Sequence, residues 1–189
     1  MELDKNNGTA EPRDVLLQAS ARYGLIVGLV EMIALYLLYA ISIEAYLGPP
    51  RYGIGIVIIT MVVYYAKQVR DLNGGYFEYG EAFLHVFAIF MVSAVVTLLF
   101  TYLHYNVLAP ELEAETRRLA IENMEEMMNM FGGGSEQMDE VMEELEKQDF
   151  SFGVGSIFSG TLASAFIWGI VSAIIAGFIK KREPEDFLQ

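Results

Sequence analysis

Glu31 lies inside the apolar run Tyr23–Leu47, about nine residues beyond Arg22. On a helix entering a membrane at Arg22, that is ~13 Å into the hydrocarbon. A carboxyl at such depth is costly unless it is paired or protonated, so it marks a functional site by default. Candidate partners are Tyr64 and Tyr65 on a second apolar run, and Ser93 and Thr97 on a third. Two chemistries fit. One is a proton or cation relay, the other a protonated carboxyl that bonds helices together. No second acid lies at similar depth to complete a relay.

Two further groupings could do chemistry. Glu81 and His85 stand one turn apart at the edge of the third run, and Arg70, Arg22 or Lys67 could close the cluster and shift the histidine. His104 and Glu44 mark the opposite edge. The second grouping is a partner-binding candidate, Met124, Met127, Met128, Phe131, Met138 and Met142. With Met130, its thioethers would suit Cu(I). The plainer reading is that methionine fills a loose helix–helix contact or an adaptable binding face.

Other chemistry is excluded more simply. Cysteine is absent and there are two histidines, so no thiolate catalysis and no metal site is expected. The acids lack the alternating loop of a calcium site. Gly132-Gly133-Gly134 lacks the lysine of a phosphate cradle. No nucleophile–base pair appears, so no catalytic residue, enzyme activity or cofactor is expected.

The elements that must position these groups follow from hydropathy. Of 189 residues, 54% are hydrophobic, gathered in runs that approach or exceed the ~20 residues needed to cross a bilayer. A soluble helical protein would normally carry a polar stripe along such runs. The expected fold is all-α, a bundle of four transmembrane helices. Residues 1–20 form an N-terminal segment without the pattern of a cleavable signal peptide. Within 21–106 lie three spanning helices, about 23–47, 52–69 and 81–106. Gly48-Pro49-Pro50 separates the first two, because proline cannot continue a helical ladder. Asn73-Gly74-Gly75 marks a turn before the third. A fourth helix occupies 153–180, and 181–189 is a tail.

Between the third and fourth helices, residues 107–152 are polar and acidic. From Pro110 to Phe150, thirteen acids against three bases give −10 of the chain's −13. Apolar residues recur at helical spacing on both sides of the three glycines, which predicts an amphipathic helical hairpin. Its charge repels nucleic acid and anionic headgroups and favours cations or a basic protein face. Orientation follows from the bases near the helix ends. Lys5, Arg13, Arg22, Lys67, Arg70, Lys180, Lys181 and Arg182 lie on one side, against Arg51, Arg117, Arg118 and Lys147 on the other. Both termini are therefore expected in the cytoplasm and the hairpin outside.

Small residues recur every fourth position on the last helix, Ala165, Gly169, Ala173 and Gly177, with Gly24 and Gly28 similarly placed on the first. Such rows let helices approach closely in lipid. Gly169, Ala173 and Gly177 are the helix-packing candidates, toward this chain or a second subunit.

The run Arg70-Asp71-Leu72-Asn73-Gly74-Gly75-Tyr76-Phe77-Glu78-Tyr79-Gly80-Glu81-Ala82-Phe83 resembles the loop and third-helix start of a bacterial membrane family, domain of unknown function 4199, found mainly in Bacteroidota. Tyr105-Asn106-Val107-Leu108-Ala109-Pro110-Glu111, Gly134-Ser135-Glu136-Gln137-Met138 and Ile174–Lys181 are similar in order and spacing. The resemblance implies four spanning helices in a bacterial inner membrane, with an extended segment between the third and fourth. It singles out Gly74, Gly75, Tyr76, Gly80, Ala82 and Phe83 in the loop, and implies no activity. The expected function is a non-catalytic interaction or accessory subunit of a membrane assembly, with the bilayer and a protein partner or second copy as its contacts. The alternative is a small transporter or ion-conducting oligomer using Glu31.

Overall fold

The computed structural model describes residues 12–131, 143 and 147–181. Among these the chain is helical: α1 Pro12–Ile41, α2 Ile43–Leu47, α3 Pro50–Leu72, α4 Tyr79–Leu103, α5 Leu112–Phe131 and α6 Val154–Ile179. A π-helical turn, His104–Leu108, extends α4. Four helical spans are long and apolar enough to cross a membrane: Val15–Ile41, Pro50–Leu72, Tyr79–Leu108 and Val154–Ile179.

The first helix differs from the continuous 23–47 of the sequence reading. It begins at Pro12 and stops at Ile41. Ser42 takes an extended backbone, and its hydroxyl accepts the Ala45 N–H at 3.0 Å. That bond satisfies an orphan donor and starts α2 as a separate short helix. Pro49 and Pro50 then open α3, where a missing N–H costs nothing.

Helix α4 is the centre of the bundle, with α1 and α6 its main neighbours. Its approach to α1 depends on two missing side chains. A Cβ at Gly24 would sit 2.6 Å from Val92 Cβ and 2.9 Å from the Ile89 carbonyl oxygen. One at Gly28 would sit 2.8 Å from Val96 Cβ and 3.1 Å from Ser93 Cα. Only glycine permits this crossing. The main core joins Val27 of α1, Ile58 and Val62 of α3, Val86 and Phe90 of α4, and Ala176 of α6. A second core, at the end that carries α2 and α5, joins Leu35, Tyr46, Phe100, Ala109 and Leu112. The remaining helix surfaces expose large apolar side chains, among them Ile56, Phe166 and Phe178. In lipid such faces are matched rather than penalised.

The α3–α4 loop is built by its glycines. Gly74 and Gly75 have φ of +71° and +85°, which L side chains rarely adopt. The Asn73 side-chain amide donates to the Tyr76 carbonyl at 3.1 Å. Phe77 and Lys181 exchange backbone hydrogen bonds of 2.8 and 2.9 Å, tying the loop to the end of α6. Lys181 lies over Tyr76, Lys180 over Tyr79, Ala82 is buried and Phe83 stacks on Phe87. Gly75→Ala is expected to cost roughly 1–2 kcal/mol, read as a lower midpoint of thermal unfolding in detergent. Gly80→Ala meets nothing within 4 Å and serves as its control.

Candidate functional site

Gly28 and Glu31 share a face of α1, three residues apart. Because Gly28 lets α4 come close at Ser93, the next turn of α1 brings the Glu31 carboxylate against α4. Ser93 Oγ donates to Glu31 Oε2 at 3.1 Å and Thr97 Oγ1 donates to the same oxygen at 2.8 Å. Tyr64 and Tyr65, also candidates from the sequence, meet edge to face, and Tyr65 stacks on Tyr23. Ten residues separate Glu31 from the end of α1, so the carboxylate lies about 15 Å inside the span.

Beside it is a cavity of about 250 Å³. It is bounded by α1, α3, α4 and α6, and lies where α3 and α6 touch only sparsely. Glu31, Thr97, Thr101 and Ser164 supply polar groups to its wall, and Trp168 stacks on Phe90 at 4.3 Å to form another part. Toward the α5 end it is lined by Arg51, Tyr105 and Phe152. Toward the opposite end the main core closes the bundle. A cavity of this size holds about eight waters at liquid density, and its hydroxyls and charges would retain them.

The absence of cysteine makes that hydration directly testable. Single replacements Thr101→Cys and Ser164→Cys are expected to react with a charged thiol reagent added from one side of sealed vesicles. Phe166→Cys, on the exposed apolar face of α6, is expected to react at least tenfold more slowly, since lipid suppresses the thiolate.

Of the other candidates, His85 is buried against α1. Its Nδ1 lies 2.7 Å from Ser20 Oγ, which itself donates to the Leu16 carbonyl at 2.7 Å. With the hydroxyl proton spent, Nδ1–H is the donor to Ser20, and Nε2 is buried without a hydrogen-bond partner among the described residues. Arg70 bonds Asp71 at 3.1 Å. Glu81 lines a separate cavity of about 270 Å³ with Tyr23, Val69 and Phe77. Tyr23 and Phe77 also pack on the His85 ring, so Glu81 and His85 share these neighbours, while Arg70 pairs with Asp71.

At the α5 end, His104 is fully buried among Tyr36, Tyr39, Tyr46 and Phe100, and neither ring nitrogen has a hydrogen-bond partner among the described residues. Tyr39 Oη donates to Glu111 Oε1 at 2.7 Å, and this bond holds the Glu111 carboxyl below its usual range. Burial pushes the Tyr46 phenol up to about 12. Arg118 ties α5 to α2, contacting Glu44 at 3.7 Å, Glu115 at 2.8 Å and Glu122 at 2.7 Å.

On α5, Met124 and Met128 are half-buried, while Met127 and Met130 are exposed. Met138, Met142 and the side chain of Phe131 lie outside the described residues. Among the described residues, no group of three His, Asp or Glu is placed to hold a metal ion. The small-residue row of α6 faces this chain for most of its length. Gly169 approaches Phe87, the Ala173 carbonyl accepts from Tyr79 Oη at 3.5 Å, and Gly177 alone opens on free space.

The sequence had not marked Arg51, Thr101, Ser164 or Trp168 as neighbours of Glu31. Thr97 and Thr101 at i, i+4, and Ser164 and Trp168 at i, i+4, were the available signal. One family profile matches the chain, described as a protein of unknown function (DUF4199), over residues 22–181. No curated protein and no solved structure matches it.

Proposed function

The chain belongs to the DUF4199 family of unknown function, and we propose that it is a non-enzymatic, multi-pass membrane protein that takes up a small charged solute at Glu31, as a carrier or conducting unit. The observation that supports this most is the Glu31 carboxylate, oriented by two hydroxyls beside a polar cavity at mid-membrane depth. A carboxyl that only bonded helices together would need its hydroxyl partners but no space beside them. One-sided access suits a carrier state with its opposite end closed. The excess of basic residues at the end holding Lys67, Arg70, Lys180 and Lys181 favours that end in the cytoplasm of a bacterial inner-membrane protein, with the cavity mouth and α5 outside. Flux into proteoliposomes, lost on Glu31→Gln, tests the reading. Flux indifferent to that change would remove Glu31 from the mechanism.

A second reading is an accessory subunit that engages a basic partner through α5. It rests on the exposure of Met127 and Met130 beside Glu122, Glu125 and Glu126. Native mass spectrometry of the protein purified in mild detergent separates the two. A defined assembly that contains a second, basic protein favours this one.

A further inference from the structure

The geometry points to a zwitterion, with an ammonium and an anionic group on one small molecule, as the ligand of the Glu31 cavity. This inference rests on Glu31 being a solute site and goes further by naming the solute's chemistry.

Among the described residues, the cavity wall holds one formal charge of each sign, the Glu31 carboxylate and the Arg51 guanidinium. A bare metal cation would meet Arg51 in a low-dielectric space, and a bare anion would meet Glu31. Either would also lack ligands, since no second acid or histidine among the described residues lines the cavity. A molecule carrying both signs satisfies both groups and excludes singly charged competitors by the charge it leaves unpaired.

The spacing agrees. The cavity follows α3 over two turns, from Ile58 to Arg51, ~10 Å along the helix, and Glu31 and Arg51 both line it. Arg51 is exposed at the mouth, with its guanidinium 5.8 Å from the Tyr46 ring centroid, so it is free to meet an anion arriving from that end. The ammonium would lie deeper, with Glu31, and the aromatic side chains of Tyr105 and Trp168 line the path between. About 250 Å³ suits an amino-acid-sized ligand. The same chemistry is offered by a soluble ω-amino carboxylate and by a phosphatidylethanolamine headgroup.

The test is calorimetric binding to the full chain in phosphatidylglycerol nanodiscs. The probes are ω-amino carboxylates of two to six carbons, with n-butylamine and n-butyrate as singly charged controls. The expected result is that one chain length binds at least tenfold more tightly than either control. Its affinity should fall roughly ten- to hundredfold on Glu31→Gln and on Arg51→Gln, the loss of one charge-assisted bond each. Arg51 is exposed, so its variant should fold normally, and n-butylamine, relieved of the guanidinium's repulsion, should bind it at least as tightly as it binds the parent protein. If butylamine binds as well as every zwitterion and Arg51→Gln changes nothing, the zwitterion is overturned while the Glu31 reading stands. If no probe binding depends on Glu31, both fall. Repeating the titration in phosphatidylethanolamine nanodiscs identifies the source. Unchanged probe affinity there assigns a soluble ligand, and suppressed binding assigns the headgroup; both support the inference.

Discussion

Gly28→Leu is expected to give the largest structural defect of any single change in the bundle. Its Cβ alone would stand 2.8 Å from Val96 Cβ and 3.1 Å from the backbone at Ser93, and neither can move without moving α4. Overpacking of this kind costs about 1–3 kcal/mol or more, which for a chain of this size lowers the unfolding midpoint by roughly 5–10 °C. Gly24→Leu, against Val92 and the Ile89 carbonyl, should behave alike. Gly53→Ala on α3 meets nothing within 4 Å and should be neutral or slightly stabilising, because alanine is the better helix former. The defect should also be functional. Separating α1 from α4 carries Glu31 away from Ser93 and Thr97, so a residual folded fraction of Gly28→Leu should be inactive. A midpoint unchanged from the parent would contradict the close crossing.

The second large effect separates a working carboxylate from a structural one. Glu31→Gln keeps size and hydrogen-bonding capacity but removes the charge, and a neutral amide is easier to hold in lipid than a carboxylate. Its unfolding midpoint is expected to stay level or rise while flux falls to background. Thr97→Val keeps shape and removes the 2.8 Å bond, with flux expected to drop about tenfold or more. Ser93→Ala removes the longer 3.1 Å bond and should cost less. Thr161→Val is the control, since that hydroxyl bonds its own helix at the Ile157 carbonyl. If Glu31 only joined helices, Thr97→Val would lower the midpoint, and flux would be kept in all of these variants.

Helix existence and number were legible because long apolar runs admit one structure in lipid. The break at Ser42 was less so. Leucine, isoleucine and alanine continue on both sides, and only the serine three residues before Ala45 signals a cap. Depth was legible as well, since counting residues from a charged edge put Glu31, Ser93 and Thr97 at one level. Rotation was not. Helix α4 is apolar nearly all round, and its one polar row, Ser93, Thr97 and Thr101, does not say whether that face meets α1 or α6. The cavity depends on that rotation in four helices at once, so Arg51 and Trp168 stayed unconnected to Glu31 until the bundle was assembled. The Ser20–His85 bond and the Tyr39–Glu111 bond join residues 65 and 72 positions apart, and no local pattern encodes them. The glycine pairs were legible as packing surfaces, but not which pair would matter. Gly24 and Gly28 make the tight crossing, whereas Gly169 leaves ordinary contact with Phe87 at 3.9 Å.

The most direct measurement is the transient current recorded from proteoliposomes on a solid-supported membrane after a jump in solute. The jumps are protons, sodium, potassium and the ω-amino carboxylate series, each applied to the parent protein, to Glu31→Gln and to empty vesicles. A cation moving into a site at mid-membrane depth displaces charge, and a zwitterion that enters with its ammonium leading displaces its dipole along the same axis, so the parent should give a current with at least one of these solutes. Glu31→Gln, equally folded by its unfolding midpoint, should give none above the empty vesicles. Currents of equal size in both proteins, or a parent silent to every solute, would contradict Glu31 as the centre of this protein's function.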